Sequence, residues 1–288
     1  MEHLVARLRA AGCVFAEDEA RILVEAATSD GVTDNARLES LVAARVGGLP
    51  LEHLVGWAEL DGRRWGVAPG VFVPRQRSEL LVRDATARAL SGATNAPVLL
   101  VDLCCGCGAL GGAVAARLLA AGHDVEVHAA DVDPVATACA HENLVALATE
   151  ALPGRLTAQT YTGDLAAPLP ARVRGRVDVL VANAPYVPTE AIGMMPPEAR
   201  EHEPHAALDG GADGLAILRR VIDLAPALLR PGGHLLVETG EAQVSAAVGH
   251  LEAAGLIATV LTDDDLGATA LVGTLPRTWA GLTRTPAH

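Results

Sequence analysis

Asn183-Ala184-Pro185-Tyr186 is the stretch of this chain best suited to chemistry on a flat nitrogen. An amide or exocyclic amine nitrogen is a poor nucleophile because its lone pair is delocalised, so a catalyst must orient it and stabilise the charge that develops. The Asn183 side-chain oxygen and the Ala184 carbonyl can each accept one N–H of an NH2 group, and Tyr186 supplies a face for the flat group. Positioning of this kind lowers a barrier without an acid of unusual pKa. Taken alone, the tetrapeptide is equally a polar turn after the apolar run Val177 to Ala182, so the electrophile's site has to be sought elsewhere.

A second constellation supplies it. Val98 to Leu103 is an apolar strand carrying Asp102 near its end, and Cys104-Cys105-Gly106-Cys107-Gly108 then turns into a helix. A strand, tight turn and helix place a ligand beyond the carboxyl end of the strand, and glycines let the backbone approach it. Val127 to Ala130 is another apolar strand, ending in Asp131, where an acid can hold ribose hydroxyls. Helix capping is the competing role for that acid, and Asp133 is better placed for it. Asp164 follows the next strand and would edge an adenine, with Leu165 against the ring face; a plain turn aspartate is the other reading. Nicotinamide cofactors share this layout. The turn here lacks the third glycine that brings a helix N-terminus to a pyrophosphate, and Asp102 would repel one. S-adenosylmethionine (AdoMet) carries no phosphate, and its positively charged methionine end suits Asp102. The expected AdoMet site therefore comprises Asp102, Cys104, Cys105, Gly106, Cys107, Gly108, Asp131, Asp164, Leu165 and Asn183.

These residues need a frame. Beyond Pro74 short apolar runs alternate with helical stretches, the pattern of a parallel sheet covered by helices. The expected strands are Pro97 to Leu103, Val125 to Ala130, Val177 to Ala182 and Gly233 to Glu238, with helices over Leu110 to Ala121 and Pro134 to Leu147. Leu256 to Leu261 and Ala268 to Thr274 flank an acidic turn and read as an antiparallel edge. Before Pro74, apolar residues recur at helical spacing from Glu2 to about Val46, interrupted at Ser29-Asp30-Gly31. Leu54 to Leu60 and Arg63 to Val67 then bracket Asp61-Gly62 as a hairpin. The expected fold is α/β: a Rossmann-like AdoMet-dependent methyltransferase domain over residues 73–288, preceded over 1–72 by a small helical domain with a β-hairpin.

Composition narrows the partners. Half of the residues are hydrophobic but only 2% are aromatic, so Ala, Val and Leu must fill the core. Lysine is absent, and the formal charge of -13 disfavours a phosphate backbone, which attracts proteins through clustered basic residues. A protein is the expected partner, with no direct nucleic acid. No signal-peptide apolar core and no run of about 18 apolar residues occurs, which leads to the expectation of a cytoplasmic protein without membrane contact. The five cysteines, three of them in Cys104-Cys105-Gly106-Cys107, lack the framework of a disulfide protein and the paired spacing of a zinc site, so no metal is expected.

The order Asp102 to Gly108, Asp131, Asp164 and Asn183-Ala184-Pro185-Tyr186 resembles the HemK/PrmC family of protein N5-glutamine methyltransferases. The resemblance extends to Gly48 to Trp57, to Val73-Pro74-Arg75-Gln76-Arg77-Ser78-Glu79-Leu80-Leu81 and to Glu201 to Gly214, covering nearly the whole chain. It implies a helical N-terminal domain that contacts a protein substrate, an AdoMet-binding domain, and methylation of the glutamine in the Gly-Gly-Gln loop of peptide-chain release factors. It also implies that Asn183, Pro185 and Tyr186 carry the catalytic motif that binds the glutamine amide. Two departures mark a divergent branch: Cys104 stands where the family's turn begins with glycine, and Ala184 stands where its tetrapeptide has a first proline.

Two other readings compete. A nucleic-acid amino methyltransferase presents the same planar NH2 geometry, but it has to flip its base and hold phosphates, against the acidic balance here. A non-catalytic AdoMet-fold binding protein would tolerate the altered turn, yet would have no use for Asn183, Pro185 and Tyr186 together. His202 and His205 read as a polar loop beside the acceptor pocket, while Arg75, Arg77 and Glu79 would either orient the N-terminal domain or touch substrate.

Overall fold

The computed structural model describes residues 1–92, 94 and 96–278; residues 279–288 of the unit expected over 73–288 lie outside the described residues. Helices α1 (Glu2–Ala10), α2 (Ala16–Ala26) and α3 (Asn35–Val46) pack on one another around Leu4, Leu8, Ala20, Leu23 and Val42. The interruption expected at Ser29 to Gly31 is a minimal hairpin of β1 (Thr28–Ser29) and β2 (Val32–Thr33). Asp34 then starts α3 by accepting hydrogen bonds from the backbone N–H groups of Ala36 and Arg37 at 2.9 and 3.0 Å, as a helix cap should.

One boundary departs from the sequence reading. Leu54 and Val55, expected to begin the hairpin, instead complete α4 (Leu51–Val55). Pro50 pre-sets the entry to that helical turn, and Gly56 closes it at φ 82°. The hairpin proper is β3 (Trp57–Leu60) and β4 (Arg63–Gly66), and both turn residues, Asp61 at φ 58° and Gly62 at φ 69°, are left-handed as a two-residue type I′ loop requires. Ala58, Leu60, Trp65, Val67, Val71 and Val73 join the same packed cluster as the large sheet. Trp65 lies so close to Gly112 that a β-carbon there would come within 2.5 Å of the indole ring.

Beyond α5 (Glu79–Ser91) the chain alternates β5 (Val98–Leu103), α6 (Ala109–Ala120), β6 (Val125–Asp131), α7 (Pro134–Glu150), β7 (Leu156–Thr162) and β8 (Val177–Ala182). The short helices α8 (Pro197–His202) and α9 (His205–Leu208) follow, then α10 (Ala216–Leu228), β9 (Leu229–Glu238), α11 (Val244–Ala253), β10 (Ile257–Asp263) and β11 (Ala268–Thr274). The last seven strands in chain order form one sheet arranged β10-β11-β9-β8-β5-β6-β7. Pairing is parallel from β9 through β7, and the antiparallel strand β11 lies one place in from the edge, covered by β10. β9 begins earlier than the Gly233 expected, because Leu229 pairs with Val177 across a register shift.

The central strands are apolar without alternation because both faces are covered. Leu100 packs with α5, α6 and α7 on one face, whereas Leu99, Val101 and Leu103 pack with α10 and α11 on the other. Strand order reverses between β5 and β8, so a crevice opens beyond their carboxyl ends, where open α/β sheets take ligands. Among the described residues no helix is long and apolar enough to cross a membrane.

Candidate functional site

The crevice holds a cavity of about 300 Å³. Its wall brings together Asp102, Cys104, Cys105, Gly106 and Cys107 from the end of β5, Asp131 from β6, Asp164 and Leu165 after β7, and Asn183 and Pro185 after β8. Gly108 stands behind this wall, at φ 75°, where a β-carbon would meet that of Ala140 at 2.9 Å. The cavity therefore unites residues spread over more than eighty positions, since the parallel strands end on one edge of the sheet.

Each acid has a distinct environment. Asp102 is fully buried, its Oδ2 accepts the Gly111 N–H at 2.9 Å, and burial pushes its carboxyl up to about 7. Asp131 is raised too, chiefly by burial, and its oxygens accept the N–H groups of Gly106 at 2.9 Å and Asp133 at 3.0 Å. It thereby braces the turn from the neighbouring strand. Asp133, not Asp131, caps α7 through the Val135 N–H at 2.8 Å. Asp164 is exposed and paired with Arg220 at 2.5 Å. Cys104 adopts φ 55°, a conformation that disfavours any residue with a β-carbon. The cysteines are free thiols, and burial pushes Cys107 up to about 12, so none is a ready nucleophile. Among the described residues no cluster of His, Cys, Asp and Glu could hold a metal ion.

A second cavity, about 350 Å³, adjoins the first and shares Phe72, Asn183, Pro185 and Ala207 with it. Ala184 and Tyr186 line this second space, together with Pro50 and Glu52 from the N-terminal segment and Arg75, Arg77, Glu198 and Glu203. The tetrapeptide is fastened from behind: Gln243 Nε2 donates to the Tyr186 carbonyl at 2.9 Å and to the Asp213 carbonyl at 3.0 Å. Gly214 approaches the same carbonyl so closely that a β-carbon would sit 2.3 Å from it, and Gly210 is pressed against the Gly214 carbonyl in turn, at 2.4 Å for a β-carbon.

Polar groups surround the tetrapeptide, among them Arg75 and Arg77, which the sequence singled out, and Ser78 and Glu238, to which it assigned no role. Glu238, buried at the end of β9, accepts from Ser78 Oγ at 2.7 Å, Arg77 Nε at 2.6 Å and the Tyr186 hydroxyl at 2.9 Å. Arg77 also donates to the Tyr186 hydroxyl, and burial raises that phenol far above its ordinary pKa, keeping it protonated. Asn183 Nδ2 donates to Ser78 Oγ at 3.3 Å. Arg75 pairs with the buried Glu203, whose other oxygen, Oε2, is the buried side-chain atom without a hydrogen-bond partner among the described residues. Phe72 and Leu60 add apolar walls from the hairpin and the segment after it. Only the places of Ser78 before α5 and Glu238 at the end of β9 hinted at such roles. His202 and His205 line neither cavity, although their neighbours Pro204, Ala206 and Ala207 do. Glu79 likewise lines neither.

Known proteins resemble this chain in sequence and in fold. A family profile described as the methyltransferase small domain covers residues 69–195. A release factor glutamine methyltransferase of Geobacter sulfurreducens is 34% identical over 238 residues, 83% of this chain and 77% of that protein. The 4-amino-L-phenylalanine/4-methylamino-L-phenylalanine methyltransferase of Streptomyces pristinaespiralis is 35% identical over 209 residues, 72% of this chain and 66% of its own. Among solved structures, the N-terminal domain of human METTL16 in complex with SAH superposes with a TM-score of 0.51 at 14% identity, covering 92% of this chain and 93% of that one, a likeness of fold.

Proposed function

The chain belongs to the release factor glutamine methyltransferase family, and from that premise we propose that it methylates the side-chain amide nitrogen (N5) of a glutamine in a protein, that of the Gly-Gly-Gln loop of a peptide-chain release factor. The carrying observation is the pair of adjoining cavities, one walled by the strand-end acids, the other by the tetrapeptide, with Asn183 and Pro185 common to both. S-adenosylmethionine, when bound, supplies a methyl group on positively charged sulfur, which the acceptor nitrogen takes with loss of one N–H proton.

The first cavity fits that methyl donor: its wall is mostly apolar, with carboxylates at separated points and no cluster of cationic side chains that would call for phosphates. In this reading Asp102 holds the methionine ammonium, Asp131 the ribose, and Asp164 with Leu165 the adenine. Asn183 Oδ1 and the Ala184 carbonyl accept the two amide protons of the glutamine, while Pro185 and Tyr186 wall the flat group. Residues 1–72 serve substrate-protein recognition, supported by Pro50 and Glu52 in the acceptor cavity and by the Arg45 to Glu198 ion pair at 3.0 Å. We place the reaction in the cytoplasm, where release factors act.

The divergent turn gives a test of the donor half. Cys104→Gly removes a β-carbon from a left-handed position at the cavity wall, so it is expected to bind AdoMet about two- to tenfold tighter, because glycine lets the backbone approach the ligand. Titration calorimetry checks this, and unchanged affinity would show that the turn already accommodates the side chain.

The acceptor half is tested by incubating the protein with labelled AdoMet and purified release factor, its Gly-Gly-Gln Gln→Ala variant, 4-amino-L-phenylalanine, or total RNA. One methyl added to the intact factor and none to the variant is the expected result. Transfer to the free arylamine or to RNA instead would replace the acceptor.

A further inference from the structure

Resting on the reading of Asn183 as the acceptor clamp, we propose that Ser78 and Glu238 are positioning residues that fix which end of the Asn183 amide faces the substrate. An asparagine side chain presents an acceptor oxygen on one side and a donor NH2 on the other, and the two ends are nearly isosteric. Only the oxygen can accept an N–H from a substrate amide. Flipped by 180°, the same side chain would set NH2 against NH2.

The hydrogen-bond network removes that ambiguity. Ser78 has a single hydroxyl proton, and its Oγ lies 2.7 Å from Glu238 Oε2. A carboxylate only accepts, so the proton belongs to that bond. The remaining capacity of Ser78 Oγ is as an acceptor, and Asn183 is its neighbour at 3.3 Å. Asn183 must therefore turn Nδ2 toward Ser78, which leaves Oδ1, bonded to no described residue, as the end free to meet a substrate in the cavities that Asn183 lines. Glu238 is in turn held by Arg77 Nε at 2.6 Å and the Tyr186 hydroxyl at 2.9 Å. One buried carboxylate at the end of β9 thus sets both the polarity of the asparagine and the position of the tyrosine.

Ser78 precedes α5, but its side chain makes no capping bond to that helix, so replacing it leaves the helix start intact. Ser78→Ala frees Asn183 to sample both orientations, and kcat with release factor is expected to fall about tenfold to a hundredfold, the scale of lost positioning. The AdoMet Kd should change less than about threefold, since Ser78 is one small part of the donor-cavity wall, and Tm should fall modestly because the buried Glu238 loses one donor. Ser78→Thr, which keeps the hydroxyl, should restore kcat to within about threefold.

A readout independent of the acceptor is the Asn183 side-chain amide in a 15N spectrum, identified by its absence in Asn183→Asp. One of its two protons should exchange slowly with solvent in the wild type and rapidly in both Ser78→Ala and Glu238→Gln. Wild-type kcat in Ser78→Ala, failure of Ser78→Thr to recover activity, or an amide signal indifferent to Ser78 would each overturn the proposal. If the wild type transfers nothing to release factor, the acceptor reading falls and the amide exchange alone decides whether Ser78 orients Asn183.

Discussion

Asn183→Ala is expected to lower methyl transfer by about a thousandfold while AdoMet affinity changes less than about threefold. The size follows from what is removed. An amide nitrogen reacts only when its protons are held and its lone pair is freed, and loss of one preorganised hydrogen-bonding group at a reacting centre costs about 10²–10³ in rate. Here the same substitution also empties the position that Ser78 and Glu238 organise, so the upper end applies. The asymmetry follows from the walls: Asn183 lines both cavities, but the donor cavity keeps Asp102, Asp131 and Leu165. Turnover assays on release factor and calorimetry on AdoMet read the two effects separately. A parallel loss of AdoMet affinity would move Asn183 from the acceptor to the donor.

The contrast between Asn183 and Ser78 shows what a sequence makes legible. Strands β5, β6 and β8 are readable because they are continuous apolar runs covered on both faces, and each stops at a polar or turn-forming stretch: Cys104 to Gly106 after β5, Asp131 at the end of β6 and Asn183 to Pro185 after β8. Parallel strands end on one edge, so Asp102, Asp131 and Asn183 converge once the strands are identified. Ser78 and Glu238 are 160 positions apart and belong to no local pattern. A lone polar residue at an element's end announces no partner, and only the packing of α5 against the sheet brings them together. The segment Leu54 to Val55 was misread for a local reason: apolar residues between Pro50 and Gly56 suit a strand as well as one helical turn, and Pro50 with left-handed Gly56 settles it. Phe72 follows the hairpin outside any helical or strand period and so announces nothing, although its neighbours Val71 and Val73 join the main core and its side chain walls both cavities.

Acidification should release AdoMet, with the affinity falling up to tenfold for each pH unit below about 7 and flattening near the carboxyl's pKa in the complex. Burial raises Asp102 to about 7 in the ligand-free protein, with Asp131 adding to the rise. A bound ammonium favours the carboxylate and lowers its pKa again. Binding therefore expels a proton wherever Asp102 starts protonated, and linkage makes Kd grow as pH drops through that window. The sign for folding is opposite. With its folded pKa above the unfolded value, Asp102 is more easily protonated in the native state, so the ligand-free protein loses stability through this group as pH rises from about 4 to 7. AdoMet reverses that loss, and its increment in Tm should be larger at pH 7 than at pH 5. Calorimetry at pH 5, 6 and 7 reads the first effect and thermal melts the second, while Asp102→Asn should bind more weakly at pH 7 and show a shallower acid limb, the part left to Asp131. A wild-type affinity independent of pH across this range would place the ammonium away from Asp102, leaving Asp131 as the buried acid to receive it.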